Sequence, residues 1–492
     1  MPVTTLHPDY EANLDAWQRA RDALRGEAAV KRAGERYLLR LTDQTDAEYD
    51  AYKGRATFYN ATARTAAGFC GLVFRRPPFV KLPMGSHGLG QVLAGFANDA
   101  DLLGTPLVNY AKDIVDEVIA VGRAGTLVDW EDQAEHRVYV ARYAAEHILN
   151  WRTERIGGRN LLTLVVLYEP TGGRDENPAD EFAPTATPQI RVLKLERTAA
   201  PNSQLNSALN SHPSTRNQFV AEVWRPVQKR KNTPGYSSAS DGGPEWVLVD
   251  RRVPLRLGRP LPLIPFVFHG PRNGQPHIDK LPLADILDLN FDHYRLNADY
   301  KHGMHYMAMP TAWVSGFGKD ATLRIGASTA WVSESPNASA GFLEFKGQGL
   351  ETFERAMDQD ERLMAILGSR LLESQKRVGE SAEAIALRQS GEESILANLS
   401  KSVSASLTQV LRWAYWWNST EDLPDHVTQD QVALELNTDY STKGLSAKEL
   451  EAIVASWQAQ ALSRDTMLDL LRRGEVLPEG RTNEEEVKLV DG

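Results

Sequence analysis

The sequence predicts an α+β chain in which a central antiparallel β region is framed by long amphipathic helices. Three observations predict it. Helical apolar spacing recurs over much of residues 7 to 122 and again within 281 to 417. Between them, residues 123 to 270 hold short runs rich in Val, Leu, Tyr and Trp, separated by polar Pro/Gly loops. Lastly, two long helical stretches flank a small Gly/Ser-rich β module. They are followed by "ESQKRVGESAE", a charged break that carries almost nothing apolar.

The first helix is predicted over residues 7 to 25, where Leu14, Trp17, Ala20 and Leu24 share a face and Gly26 ends it. A second stretch runs through residues 43 to 78. It opens on Asp and Thr residues suited to capping, places Tyr49, Tyr52, Ala56, Tyr59 and Ala63 on one face, and stops at Pro77 and Pro78. Residues 92 to 122 are helical with a break at "GTP". "AGTLVDWE", "HRVYVARYAAEHILNWR", "NLLTLVVLYEP", "QIRVLKLER", "QFVAEVWRP" and "EWVLVDRRV" read as successive strands. Residues 281 to 307 return to helix with Leu283, Leu287, Phe291, Tyr294 and Ala298 on one face. Such a stretch makes a rod of about 39 Å at roughly 1.5 Å per residue.

The β module spans 308 to 346. Residues 349 to 373 are helix, with Leu350, Met357, Met364 and Leu371 seven apart. After the break, the pattern predicts a helix over 381 to 417, with Leu396, Val403, Val410 and Trp417 seven apart and Gly391 as a kink position. "DQVALELNTDY" is a strand. The segment from Ser446 is a helix pair with a capping box from Ser446 to Glu449 and a second start from Ser463 to Thr466. The tail "EGRTNEEEVKLVDG" is acidic and expected to be loose.

Composition bounds the function. The 492 residues are enough for two to four compact units, and 42% hydrophobic with 24% charged residues is ordinary for a globular protein. A net charge of −10, from 65 acidic and 55 basic residues, argues against static wrapping of nucleic acid. It is compatible with a conduit that DNA passes without sticking, and on its own it reads as solubility. Cys70 is the one cysteine, so no intrachain disulfide is possible; its apolar setting in "AAGFCGLVF" predicts a buried, inert thiol. The start "MPVTTLHPDYEANL" has no basic-then-apolar pattern, so no signal peptide is expected. The apolar run "LPLIPFVF" is too short and Pro-rich to span a bilayer, and no membrane partner is expected.

Motifs for chemistry are weak. "GFGKDATLRIG" fails as a phosphate loop because Asp320, not Ser or Thr, follows the lysine, and the first glycine is too close. "GSHGLGQ" is Gly-rich but does not follow a buried strand. His293, His302 and His305 with Asp292 and Asp299 have the residue types of a metal site. Only His302 and His305 share a helix face, however, and the reading places all of these on the polar side of a rod. The carboxylates of "VDWEDQAEH" read as a solvated turn after a strand. No G-x-S-x-G elbow is present. The Trp413, Tyr415, Trp416, Trp417 cluster reads as core or subunit packing, with base stacking the minor alternative. No catalytic residue, metal or cofactor is expected.

The order helix rod, β module, helix rod, polar break, long helix, strand and helix pair resembles the phage portal family, the head-to-tail connectors. So do the stretches "DAWQRARDALRGEAAVKRAGERYLLRL", "YDAYKGRATFYNATARTAAGFCGLVFRRPP", "VGRAGTLVDWE", "ILNWR" and "DLNFDHYRLNADYKHGMHYMAMPTAWVSG". The resemblance covers nearly the whole chain and rests on their order rather than on any one signature.

It implies a wing over residues 1 to 270, a first stem helix within 271 to 307, a clip over 308 to 346 and a second stem helix over 347 to 373. A tunnel loop over 374 to 384 would follow, then a long kinked helix and return strand over 385 to 440, and a crown with acidic tail over 441 to 492. The family forms closed rings, typically of twelve copies, around double-stranded DNA. The resemblance therefore implies a non-enzymatic virion protein at the capsid vertex, assembled in the host cytoplasm. Its partners would be the terminase large subunit, a tail adaptor, and capsid and scaffold proteins. The tunnel-loop residues would be Glu373, Ser374, Gln375, Lys376, Arg377, Val378, Gly379 and Glu380. Lys376 and Arg377 would face passing phosphate, tempered by Glu373, Glu380 and Glu383. The clip's docking residues would be Trp313, Phe317, Lys319, Arg324 and Trp331. The rival readings are another head-tail adaptor or minor capsid protein, which is usually much shorter, and a hydrolase with an unrecognised site.

Overall fold

The computed structural model describes residues 2–83, 89–131, 136–156, 158–174, 186–199, 215–227, 245–308, 311–317, 335–343, 349–370, 394–419, 432–438, 440, 447–459, 461–473, 476–477 and 483–491. The chain divides into two compact units. One gathers Met1–Glu11, Gly68–Asp279 and Leu372–Gly492; the other gathers Ala12–Ala67 and Lys280–Leu371.

The first unit is built on two antiparallel sheets. Strands β4 (Ile148–Ile156), β5 (Arg159–Arg174), β6 (Ala186–Ala199), β7 (Thr215–Val227) and β8 (Glu245–Arg252) form a five-stranded meander in chain order. Its core is Val166, Ile190 and Val192, covered by Trp224, Trp246, Leu164 and Val3. A three-stranded sheet places β2 (Ala124–Trp130) between β3 (Val138–Ala144) and β11 (Phe266–His269). β2 is buried on both faces, its polar residues Thr126 and Asp129 included. Gly125 is required there: a Cβ at this position would lie 2.3 Å from Phe266 Cζ. The stretch 138–156, read as one strand, is two strands in different sheets. A single 3₁₀ turn over Ala145–His147 separates them, held by Tyr10, whose hydroxyl donates to the Glu146 carbonyl at 3.0 Å.

Asp129, expected in a solvated turn, is instead buried in β2 at 3% exposure. It is paired with Arg252 and lies 3.8 Å from Arg191, while Tyr139 donates to it at 3.3 Å. Glu169 of β5 accepts from Tyr143, Gln189 and Arg191 at 2.6, 2.6 and 2.7 Å. These pairs satisfy carboxylates that burial would otherwise make costly.

Helix Ile395–Asn418 closes the unit. Leu396, Val403 and Val410, predicted to share a seam, are all 3% exposed or less, and Tyr415, Trp416 and Trp417 are buried with them, as a core reading requires. Its start differs from the expectation: Ser394 caps it, accepting from the Ala397 N–H, so the helix begins at Ile395. Residues 381–393, including Gly391, lie outside the described residues. The helix packs on β11 through a chain of hydrogen bonds. Ser406 Oγ donates to the Val403 carbonyl at 2.9 Å, so it accepts from His269 Nδ1–H at 2.7 Å. His269 Nε2 must then accept from the Thr126 hydroxyl at 2.7 Å, and Thr126 from the Tyr110 hydroxyl at 2.7 Å. The same helix binds strand Ala433–Glu435 through Thr408, which accepts from the Leu434 N–H at 3.0 Å, and through Ser404, which accepts from the Leu436 N–H at 2.9 Å. That strand pairs with β1 (Phe79–Lys81). Cys70 is buried, and burial, with a hydrogen bond to Asp116, pushes its thiol up to about 12.

Helices Ala447–Gln458 and Arg464–Arg473 are as predicted, and Ser463 accepts from the Thr466 N–H at 3.1 Å. Residues 441–446, with the Ser446 cap, lie outside the described residues. The tail expected to be loose forms helix Asn483–Asp491. Asn483 donates to Asp469 at 3.0 Å, and Glu485 and Glu486 stand near its positive N-terminal end.

The stretch 43–78, which runs from the second unit into the first, is not one helix. Asp46–Arg55, begun by a capping box between Thr45 and Glu48, is followed by extended backbone and then Ala61–Val73. The break is held by polar contacts: the Thr57 N–H donates to Asn297 at 2.8 Å, and Asn60 donates to the Ala23 carbonyl at 2.9 Å.

Burial depresses His269 to about 3 from 6.5, so the charged form is favoured in the unfolded chain. Its contribution to stability is complete above 6.5 and is lost as pH falls. Chemical denaturation of wild type between pH 7 and 4 should show an acid loss of about 1.4 kcal/mol per pH unit from this group. His269→Gln, which has no proton to take up, should show a shallower slope; equal slopes would remove His269 as the cause.

Candidate functional site

The elements that the resemblance assigns to stem and clip lie together in the second unit. Helix α7 (Ala284–Ala308) buries Ile286, Leu287, Phe291, Tyr294 and Ala298. Helix α8 (Leu350–Arg370) buries Met357 and Met364 on the predicted seven-residue seam. Four contacts fix their register. His293 Nε2 lies 3.3 Å from Glu361 Oε1, Asn297 Nδ2 lies 3.8 Å from Met357 Sδ, Tyr300 donates to Glu354, and a Cβ on Gly303 would meet Leu350 Cδ2 at 2.8 Å. As the contacts advance along α7 from 293 to 303 they step back along α8 from 361 to 350, so the pair is an antiparallel hairpin of helices.

The opposite side of α7 is covered as well. Tyr37 stacks on Phe291 at 4.3 Å between ring centres, and Phe58 meets Tyr294 at 5.8 Å. Tyr52 donates to Asp299 at 2.5 Å, and Arg55 lies 3.1 Å from His302 Nδ1. This corrects the placement of His293, Asp299 and His302 on a polar side, while Asp292 is exposed as expected. His293 is 4% exposed against Tyr59, and Asp299 and His302 are half-buried with separate partners. Burial, with Arg55 beside it, lowers the pKa of His302. Among the described residues no three His, Cys, Asp or Glu side chains are grouped to hold a metal ion.

Asn290, which the sequence reading missed, organises this unit. It is fully buried; its carbonyl oxygen accepts from the Thr62 N–H at 3.1 Å and the Thr62 hydroxyl at 2.9 Å, and its amide donates to the Tyr59 carbonyl at 2.6 Å. It thereby caps helix Ala61–Val73 from a distant part of the chain.

Beyond α7 the chain makes an antiparallel ribbon, Thr311–Ser315 with Ser339–Leu343, in which Trp313 faces Gly341. Trp313 is 46% exposed and lies over Gly341, where a Cβ would meet its Nε1 at 2.9 Å. Phe342, Val314, Met304, Tyr306 and Met307 are also exposed, which makes this end of the unit apolar. Phe317 is half-buried. Lys319, Arg324 and Trp331 lie outside the described residues, as do Glu373, Ser374, Gln375, Lys376, Arg377, Val378, Gly379 and Glu380. The structure therefore brings α7, α8 and Trp313 into one unit.

A family model described as a domain of unknown function, DUF4055, matches residues 282–418. It spans both stem helices and the helix that closes the first unit. No curated protein matches the chain. Among solved structures, the chain is similar to the neck of an empty GTA particle computed with C6 symmetry, at 11% identity and a TM-score of 0.36, over 85% of this chain and 92% of that one. It is similar to the neck of a native GTA particle computed with C12 symmetry at 12% identity and a TM-score of 0.36, over 84% and 90%. The virion of a native gene transfer agent particle matches at 10% identity and a TM-score of 0.33, over 91% and 99%. Among the described residues no helix is long and apolar enough to cross a membrane.

Asn290→Ala should lower the stability of this unit by about 3 kcal/mol, because it leaves a buried N–H, a hydroxyl and a carbonyl unpartnered. Hydrogen exchange at the start of helix Ala61–Val73 should rise with it. A loss confined to α7 would show that Asn290 does not hold the cap.

Proposed function

We propose that the chain is one subunit of a portal ring, the head-to-tail connector through which a viral genome is packaged and ejected. One observation carries the reading. An antiparallel helix hairpin, α7 with α8, is joined by a β ribbon with an apolar, exposed surface, and the chain then returns to helix Ile395–Asn418 and strand Ala433–Glu435. This is the order of stem, clip, stem and return to wing. The charge fits the role. Acidic residues outnumber basic ones in the chain. An acidic lining repels phosphate and lets DNA slide.

In this reading residues 373 to 380 form the tunnel loop at one height in the bore, with Lys376 and Arg377 making weak, salt-sensitive contacts to phosphate. Trp313 and Phe317 belong to the docking surface for the terminase large subunit during packaging and for the tail adaptor afterwards, with Lys319, Arg324 and Trp331 completing it. The ring is non-enzymatic and has no ATP site of its own; the motor that docks on it supplies the work. Capsid and scaffold proteins hold it at the vertex of the virion, after assembly in the host cytoplasm.

Mass photometry of the purified chain, paired with negative-stain images, should give rings with a central hole and a mass near twelve subunits. A strict monomer that forms no ring with its capsid or scaffold proteins would overturn the reading. Deleting residues 374 to 380 should leave ring formation intact while impairing DNA packaging or retention. Normal packaging by that deletion would remove the tunnel-loop assignment and leave the ring.

A further inference from the structure

The packing of α7 on α8 leaves one charged feature of the stem unused. Glu354, Asp358 and Glu361 share a face of α8 at spacings of four and three, and all three are exposed. Together with Thr57, Tyr59 and His293 they edge a notch of about 370 Å³. Like charges at this spacing repel, so the row destabilises α8 unless something cationic covers it. The chain's own bases do not. Tyr300, a neutral donor, reaches Glu354, and Asp358 has no partner among the described residues. His293 is the one group in the notch near enough to Glu361. It is 4% exposed, and its Nδ1 has no hydrogen-bond partner.

The complementary row lies on the same helix. Arg355 and Arg362 each stand one residue after an acid of the row, about 100° round the helix, and both are exposed. Arg355 reaches Glu351 at 3.3 Å, but with the side chains 82% and 75% exposed this pair is weak. Arg362 has no partner among the described residues.

We propose that in the closed ring the acidic row of one copy receives Arg355 and Arg362 of the next. This rests on the ring reading above, and cyclic symmetry supplies the argument. Copies related by pure rotation carry each residue at the same height, whatever the tilt of the helix. A contact between two different faces of the same helix closes only if the complementary groups have nearly the same residue numbers. Glu354 with Arg355, and Glu361 with Arg362, meet that condition at both ends of the row. A metal ion is a poorer occupant, because no three acidic or histidine ligands converge among the described residues. Nucleic acid is repelled by the row.

The test uses the full chain and follows ring assembly against protein concentration and salt. Glu361→Arg and Arg362→Glu, made singly, should each raise the concentration for half-assembly about tenfold. The double swap reverses the pair in every interface of the ring and should return assembly to within about threefold of wild type. Asp358→Arg, which leaves the His293–Glu361 contact in place, should repeat the loss. Singles that assemble like wild type, or a double variant that is folded by circular dichroism yet as weak as the singles, would overturn the interface while leaving the ring. Failure of the wild-type chain to form rings under any condition would overturn the ring reading and this interface with it.

Discussion

The contact between His269 and Ser406 is the constraint on which the first unit depends. It joins a strand from the middle of the chain to a helix made 137 residues later. Its geometry leaves one arrangement of protons, because Ser406 already spends its hydrogen on the Val403 carbonyl. The neutral Nδ1–H tautomer follows, and with it the donor roles of Thr126 and Tyr110. The two ends of this chain of bonds lie on two helices, with the sheet between them. A helix sliding by one turn would break the whole set and leave buried polar groups unpaired, which is far costlier than losing one apolar contact. The bonds to the Leu434 and Leu436 N–H groups set the same helix against a strand edge, so its rotation is fixed as well as its height.

Buried polar residues do comparable work in the second unit. Apolar packing of α7 against its neighbours would tolerate some slippage, since Leu, Phe and Met side chains are interchangeable in shape to within a modest cost. Asn290, Asn297 and Tyr52 are not. Each meets a specific group on a specific residue, so the helix hairpin has a single register.

Elements governed by period were legible in the sequence. The seams of α7, α8 and helix Ile395–Asn418 follow from spacing alone, and the strands of the meander from runs rich in Val, Leu, Tyr and Trp between Pro/Gly loops. Features decided by distant partners were not legible. The extended backbone after Arg55 depends on Asn297, some 240 residues away. Asp129 looked like part of an acidic turn because its arginine partners are far off in sequence, with Arg252 separated by 123 residues. His293 was assigned to a polar face because a helix wheel assumes one covered side, whereas α7 is covered on two. The rod–ribbon–rod order of α7, the ribbon that carries Trp313, and α8 was also visible in the sequence. It could not show that the acidic row of α8 faces a notch, which depends on Thr57 and Tyr59 lying beside it.

The discontinuity of the two units has a consequence for how the chain is made. The second unit needs residues 12 to 67 and 280 to 371, so it can complete while the last quarter of the protein is still being synthesised. The first unit cannot. Its sheet exists early, but the surface that Val403, Leu407 and Val410 cover stays open until the helix carrying them has emerged. For that interval one unit of the nascent chain is finished and the core of the other is not, with the slow, long-range closure left to the end. A truncation in the final hundred residues would therefore act on the oldest part of the chain, and a chaperone that shields the open sheet would be needed most just before release.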